Sequence, residues 1–213
     1  MIIMKNLNCK AFAIASLLIV VTGFNPVLAQ QYLLEIDKPK FEDLYSPDIN
    51  SNITKGDWKP KKWLEIDLKF KIAKASNREE QYADDVTVRW YVAANITEGG
   101  STRVRVIEKE VKYVNVPIGE DVYVSVYLSP SAVKRISGSD NASKRTIEAV
   151  GGEIQVNGTQ PVKGSGFFTT EATSKGKWWD ELARYNKIPL RNKNETPFKF
   201  FWWDRYAEIE ERR

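Results

Sequence analysis

The sequence predicts a mainly β protein: an antiparallel two-sheet sandwich of immunoglobulin-like type, carrying one or two short helices. Three observations lead there. Apolar and polar residues alternate with period two through several separate segments. Turn signals rich in Gly, Asn and Pro divide those segments at short intervals. Nowhere does a strand pattern lead into a long helical one, so the βαβ rhythm of a parallel sheet is missing. About seven or eight strands are expected, the number an immunoglobulin-like sandwich needs.

The chain opens on a segment built for export rather than for the core. Lys5 and Lys10 supply a positive start, Ala11 to Val21 is apolar apart from Ser16, and Val27-Leu28-Ala29 offers a small residue ahead of Gln30. This is the pattern of a cleavable secretory leader, with cleavage expected between Ala29 and Gln30, and its apolar run is too short to span a bilayer comfortably. Residues 1–29 are therefore read as the leader and residues 30–213 as a single sandwich domain. Cys9 precedes the apolar run, whereas a lipoprotein cysteine would follow it.

The strands come next. Gln31 to Asp37 is a candidate first strand, and the Pro-rich, charged stretch from Lys38 to Lys61 reads mostly as loop. From Trp63 to Ile72, one face carries Leu64, Ile66, Leu68, Phe70 and Ile72, and the other carries Glu65, Asp67, Lys69 and Lys71. The spacing predicts a strand with one side in the core and one in water. Asp85 to Ala93 repeats the pattern, with Val86, Val88, Trp90 and Val92 opposite Thr87, Arg89 and Tyr91. Trp90 is the expected aromatic anchor of the core.

After the Gly99-Gly100 turn signal, Thr102 to Val116 is a long extended run. Its apolar parity shifts between Val104-Val106 and Val111-Tyr113, which predicts a bend or bulge at Lys109-Glu110. Asp121 to Leu128 alternates again. Ser129 as cap, Pro130 in the first turn and Gly138 as stop predict a short helix. Lys144 to Val150 fits either helix or strand. Gly152 to Val156, Asn157-Gly158 and Gln160 to Phe168 read as a hairpin. Trp178 to Tyr185 suggests a short helix, Thr196 to Tyr206 an aromatic strand, and Glu208 to Arg213 a charged tail.

Composition excludes several chemistries. The chain has no histidine, so imidazole bases, Ser-His-Asp triads and His-ligated metals are out. Its single cysteine lies in the leader, so thiol catalysis and intrachain disulfides are out as well, and no cofactor is expected. Losing Lys5 and Lys10 lowers the net charge from +4 to +2, which takes most of the weight from a nucleic-acid partner.

Ser131-Ala132-Val133-Lys134 and Ser139-Asp140-Asn141 imitate two penicillin-binding motifs. They lie too close together, and no K-T-G follows. The acid pairs Glu79-Glu80, Asp84-Asp85 and Glu120-Asp121 read as solvated turn residues, and no Asp-rich calcium loop is present. Trp58 to Trp63 mixes bases with aromatics, a weak polyanion signal. Asn52, Asn95, Asn141, Asn157 and Asn194 begin N-x-[ST] triplets and read as turn residues.

The unusual feature is a repeated W-W-D triplet, at Trp178-Trp179-Asp180 and Trp202-Trp203-Asp204. Adjacent residues of a strand point to opposite faces, so Trp202 and Trp203 cannot both enter the core of a one-sided sheet. Two readings stay open. The pairs pack on each other and close the sandwich edge, or Trp178, Trp179, Trp202 and Trp203 form a surface for a protein or a glycan.

The segments Trp63-Leu64-Glu65-Ile66, Val86 to Tyr91, Val122 to Pro130 and Gly151 to Gly158, with the terminal Phe201-Trp202-Trp203-Asp204, resemble the pilus-like secreted proteins of Akkermansia and related Verrucomicrobia. The resemblance implies an immunoglobulin-like domain similar to archaeal pilus subunits, associated with a type IV pilus-like assembly, with neither cofactor nor catalytic residues. A type IV pilin keeps its apolar segment as the assembly helix, whereas here that segment precedes the cleavage site. The expectation is a non-enzymatic structural or interaction protein of the cell envelope, in the periplasm, at the outer membrane or on the surface. Its expected partners are proteins of the envelope or pilus machinery, a second copy of the chain, or glycans. The alternative is a carbohydrate-binding module using exposed Trp and Tyr.

Overall fold

Two alternating segments become a sheet when their apolar faces can share one core. The structure is a computed structural model that describes residues 32–47, 59–73, 79–162, 164–171 and 176–211. Among the described residues, ten strands form two antiparallel five-stranded sheets. In the first, β3 (Lys62–Ile72) pairs on one side with β1 (Leu34–Ile36) and β2 (Lys40–Tyr45), and on the other with β6 (Asp121–Leu128), which carries β9 (Arg191–Asn192). The second has the order β10 (Glu208–Ile209), β5 (Ser101–Pro117), β4 (Tyr82–Glu98), β7 (Ala149–Val156), β8 (Phe167–Thr169). The expected antiparallel sandwich is what forms. The expected leader and the expected Ala29–Gln30 cleavage site lie outside the described residues, as do Asn52 and Trp58.

The core lies between the sheets, where the inner faces read from the alternation meet. Leu64, Ile66, Leu68 and Phe70 of β3 and Val122, Val124, Val126 and Leu128 of β6 oppose Val86, Val88, Trp90 and Val92 of β4 and Ile154 and Val156 of β7. Trp90 is fully buried and meets Phe168 edge-on at 5.1 Å between centroids. The helix α1 (Pro130–Ser137) has its expected cap, with the Ala132 amide donating to Ser129 Oγ at 3.3 Å, and it packs against β3 and β4. The ambiguous stretch after it becomes a 3-10 turn at Lys144–Thr146 that leads into β7.

Several expectations are corrected. β5 has no bulge at Lys109-Glu110, because Trp90↔Lys109 and Arg89↔Glu110 keep the same register as the rest of the β4–β5 ladder. The parity shift has another cause: Val106 faces outward under a covering segment, while Val111 and Tyr113 face inward. The irregularity sits instead at Asn115, at φ +54°, where the pairing skips Asp84. The hairpin turns at Gly99-Gly100, whose φ values of +58° and +79° suit glycine and match a tight turn between twisted strands.

Lys38 to Lys61 contains the edge strand β2, and the charged tail contributes β10. The Asn157-Gly158 turn is present, with Val156 and Thr159 exchanging backbone bonds of 3.0 and 2.9 Å, but the returning strand pairs only over Phe167–Thr169. Trp178 to Tyr185 shrinks to a 3-10 turn over Trp178–Asp180. Thr196 to Tyr206 is not a strand. Pro197 opens a 3-10 turn over Pro197–Phe200, capped by Thr196 Oγ1 accepting from the Phe198 amide at 3.1 Å. Proline pre-sets φ for that turn and brings no amide to a ladder.

Candidate functional site

The two outer faces are where the structure departs most from the alternation. On β3, Glu65 and Asp67 point away from the core, yet their residues are only 2% and 3% exposed. The expectation that this face meets water holds for Lys69 and Lys71 and fails for the two acids. They are covered by the C-terminal segment 191–209, a strap laid across the sheet. It pairs with β6 through β9 and again at Tyr206, where the Ala207 amide donates to Tyr123 O at 3.0 Å, and it ends on β5 through β10. Phe198 plugs the strap down, stacked on Tyr127 at 5.5 Å and edge-on to Trp63 at 6.0 Å.

Burial forces the acids to find donors, and the strap supplies Tyr206 and Arg205 alongside Tyr127 of β6. Glu65 Oε1 accepts from Tyr127 Oη at 2.5 Å and Tyr206 Oη at 2.9 Å. Asp67 Oδ2 accepts from Arg205 Nη2 at 2.9 Å, while Oδ1 is buried with no partner among the described residues. Burial pushes the Glu65 carboxyl above the usual carboxylate range, against the pull of the two tyrosine hydroxyls. Burial likewise raises Asp67, opposed by the Arg205 charge.

Lys193 is also buried, and burial lowers its ammonium below the ordinary lysine value, with Glu65 opposing. Its Nζ lies 5.7 Å from the Trp203 ring centre and 5.5 Å from that of Tyr206, and donates to Lys199 O at 3.4 Å. Glu65, Asp67 Oδ2, Arg205 and Tyr206 are bonded to one another within the fold. What the cluster does is fasten the strap.

Beyond the plug the strap turns outward. Phe200, Phe201, Trp202 and Trp203 are 73%, 40%, 45% and 62% exposed. Trp202 has φ +53°, a left-handed conformation that a large side chain adopts only under constraint. The constraint is a tight turn in which the Arg205 and Tyr206 amides approach Trp202 O at 3.2 and 3.4 Å. Trp202 rests one face on Phe198 at 6.1 Å and is tilted 50° from Phe201. Trp203 walls a hollow of about 310 Å³ together with Lys193, Lys199 and Tyr206.

The other tryptophan pair sits on the opposite outer face. Trp179 is fully buried and stacks on Tyr91 at 5.1 Å with an interplanar angle of 10°, over Ala93, Val106 and Ala149. Trp178 meets it edge-on at 5.4 Å and donates Nε1–H to Thr169 Oγ1 at 3.0 Å. Gly151 makes this possible, because a Cβ there would overlap the Trp179 ring. The expectation that the two pairs pack on each other is therefore corrected: each covers a different sheet, and Trp178-Trp179 is closed to partners while Trp202-Trp203 is open.

The remaining sequence features carry no constellation. Lys134 Nζ bonds Asp140 at 3.3 Å as an exposed ion pair, and Ser131 Oγ bonds the capping Ser129 Oγ at 3.0 Å. The acid pairs are exposed or half-buried, but the expectation of turn residues is corrected for two of them: Asp84-Asp85 lie in β4 and Asp121 begins β6, because the ladders of both strands extend over these ends. Among the described residues no group of three or more Cys, Asp or Glu is placed to hold a metal ion. The buried Glu65 and Asp67 were missed because alternation reports two faces but not what is laid over them. The available signal was Arg205-Tyr206, a donor pair at the end of a segment too aromatic for a free tail.

A protein-family model matches residues 25–213. A crystal structure of a protein from Akkermansia muciniphila is 34% identical in sequence and superposes with a TM-score of 0.76, over 86% of this chain and 95% of that one. No curated protein matches.

Proposed function

The chain belongs to the family of pilus-like secreted proteins of Akkermansia and related Verrucomicrobia, and on that premise we propose that it is an exported, non-enzymatic interaction domain of a type IV pilus-like assembly at the cell envelope. One observation carries the proposal. Four consecutive aromatic residues, Phe200 to Trp203, stand exposed on a strap that Arg205 and Tyr206 fasten to Asp67 and Glu65. Contiguous exposed aromatic surface is characteristic of interaction sites. The fastened strap and Trp202's forced backbone give the rings a fixed presentation, which lowers the ordering cost of binding.

Affinity capture of the tagged chain from detergent-solubilised envelope fractions of its native host tests this. Co-purification of pilus-like or secretion components is the expected result. Recovery of the chain alone from those fractions, under conditions that keep other envelope complexes intact, overturns it.

A further inference from the structure

We infer that the far end of the β4–β5 hairpin is a second docking site, distinct from Phe200–Trp203, which takes an acidic, extended segment of a partner protein as an added strand along Ser101–Arg105. The hairpin outruns its sheet. β7 pairs with β4 only as far as Ala93, whereas β4 and β5 stay paired out to Glu98 and Ser101. At Val106 the edge of β5 is still covered: its amide donates to Ala183 O at 3.0 Å, and its carbonyl accepts from the Tyr185 amide at 2.7 Å. Groups that face one edge of an antiparallel strand recur at every second residue. The amides and carbonyls of Val104 and Thr102 therefore face this same edge, and no backbone bond meets them there among the described residues. Both residues are exposed. Such an edge is a template for strand addition.

Charge selects the partner. Pairing sets Arg103 opposite Ile96 and Arg105 opposite Ala94, so both arginines share the face on which those two residues are buried. Neither arginine forms an ion pair among the described residues. Arg135 of α1 and Lys187 add two more cations beside Tyr185, whose ring centre lies 5.7 Å from the Arg135 guanidinium carbon and 6.0 Å from Lys187 Nζ. Glu98 is the acid on this face of the hairpin, and it is already held by Lys187 at 2.8 Å and the Tyr185 hydroxyl at 3.3 Å. The neighbouring acids are engaged on the other face, where Glu148 bonds Asn95 and Glu108 bonds Arg184.

Spacing completes the fit. Arg103 and Arg105 are one strand repeat apart, so a strand added along this edge meets them with two of its own residues at the same spacing. The segment that satisfies both the edge and the charge is an extended acid-x-acid run. Opposite charges across a ladder attract, and like charges are rejected, so the arginines also guard the open edge against indiscriminate pairing. A nucleic acid would answer the charge but leave the edge amides unused.

The test uses the full chain and a fluorescein-labelled peptide of alternating threonine and glutamate, read by fluorescence anisotropy. Its counterparts are a threonine–lysine peptide, a threonine–glutamate peptide with a fully N-methylated backbone, and a labelled oligothymidylate. The expected result is binding of the unmethylated threonine–glutamate peptide alone, weakened by salt. R103S/R105S should weaken it about tenfold. R103E/R105E should abolish it and admit the threonine–lysine peptide instead. V104P removes one edge amide while the bonds between β4 and β5 stay in place, and should weaken binding with both arginines present. Near-UV circular dichroism from the buried Trp90 and Trp179 reports whether each variant has folded. Failure of the threonine–glutamate peptide to bind overturns the inference, as does unchanged affinity in a folded R103E/R105E. Equal binding of the N-methylated peptide or the oligothymidylate shows attraction by charge alone and overturns the strand addition.

Discussion

The two W-W-D triplets share three residues and nothing else. Trp178-Trp179-Asp180 closes over β4, β5 and β7: Trp179 is fully buried against Tyr91, and Arg184 bonds back to its carbonyl. Trp202-Trp203-Asp204 lies on the opposite sheet with both rings exposed. The difference lies in what the sheet offers. The outer face beneath Trp179 is made of small or flat residues, Ala93, Ala149, Gly151 and Tyr91, and a ring can lie down on it. The outer face beneath the strap carries Glu65 and Asp67, which call for donors, so Tyr206 and Arg205 go down and the tryptophans stay up. The neighbouring surface, not the triplet, assigns a tryptophan its role.

Substitutions can break this contrast at graded cost. Trp179→Ala should have the largest effect, about 3–5 kcal/mol of stability, as for other fully buried aromatic residues; thermal or urea unfolding measures it. Gly151→Ala should cost about 1–3 kcal/mol by lifting Trp179 off the sheet, with a loss of the near-UV tryptophan signal. If Gly151→Ala is neutral, the close approach of that ring is not what fixes the covering segment. Arg205→Ala leaves Asp67 buried without its cation. Because the arginine side chain is 44% exposed, the loss should be about 1–2 kcal/mol, with strap amides exchanging faster and segment 178–185 unaffected.

A smaller effect sharpens the same contrast through pH. The Glu65 carboxyl is raised in the folded state, so the fold binds this proton more tightly than the unfolded chain does. Its contribution is full below the ordinary glutamate value of 4.5 and is lost as pH rises through the raised one. Urea stability should therefore decline with pH over that weakly acidic window. Glu65→Gln, which keeps an acceptor for Tyr127 and Tyr206, should flatten the slope. An unchanged slope in this variant would show that Asp67, whose carboxyl is also raised by burial, sets it. Smallest of all, F200S/W203S should alter stability by about 0.5 kcal/mol or less, since those rings contribute to contact rather than to the core.

The inner faces were legible because core burial acts on each strand separately. Leu64 to Ile72, Val86 to Val92 and Val122 to Leu128 each alternate in a way that only a sheet can bury, and all fall where the alternation puts them. The Gly99-Gly100 turn and the Ser129-Pro130 cap were legible for the same reason, being contained within a few residues. The strap was not. Its aromatic density imitates a strand, and Pro197 with the caps at Asn192 and Thr196 outweighs that density locally.

By itself the sequence determined the sandwich, the inner core with Trp90 at its centre, the tight turns and the lack of imidazole chemistry. Each of these is written in neighbouring residues, through side-chain period, turn conformation or composition. Only the tertiary structure decided the outer layer: that Glu65 and Asp67 are buried, that one tryptophan pair is sealed and the other presented, and that the tail closes a sheet. The contacts that decide it, Arg205 with Asp67 and Tyr206 with Glu65, join residues 138 and 141 positions apart. A period-two pattern names two faces of a strand; which of them meets water depends on what the rest of the chain lays over it.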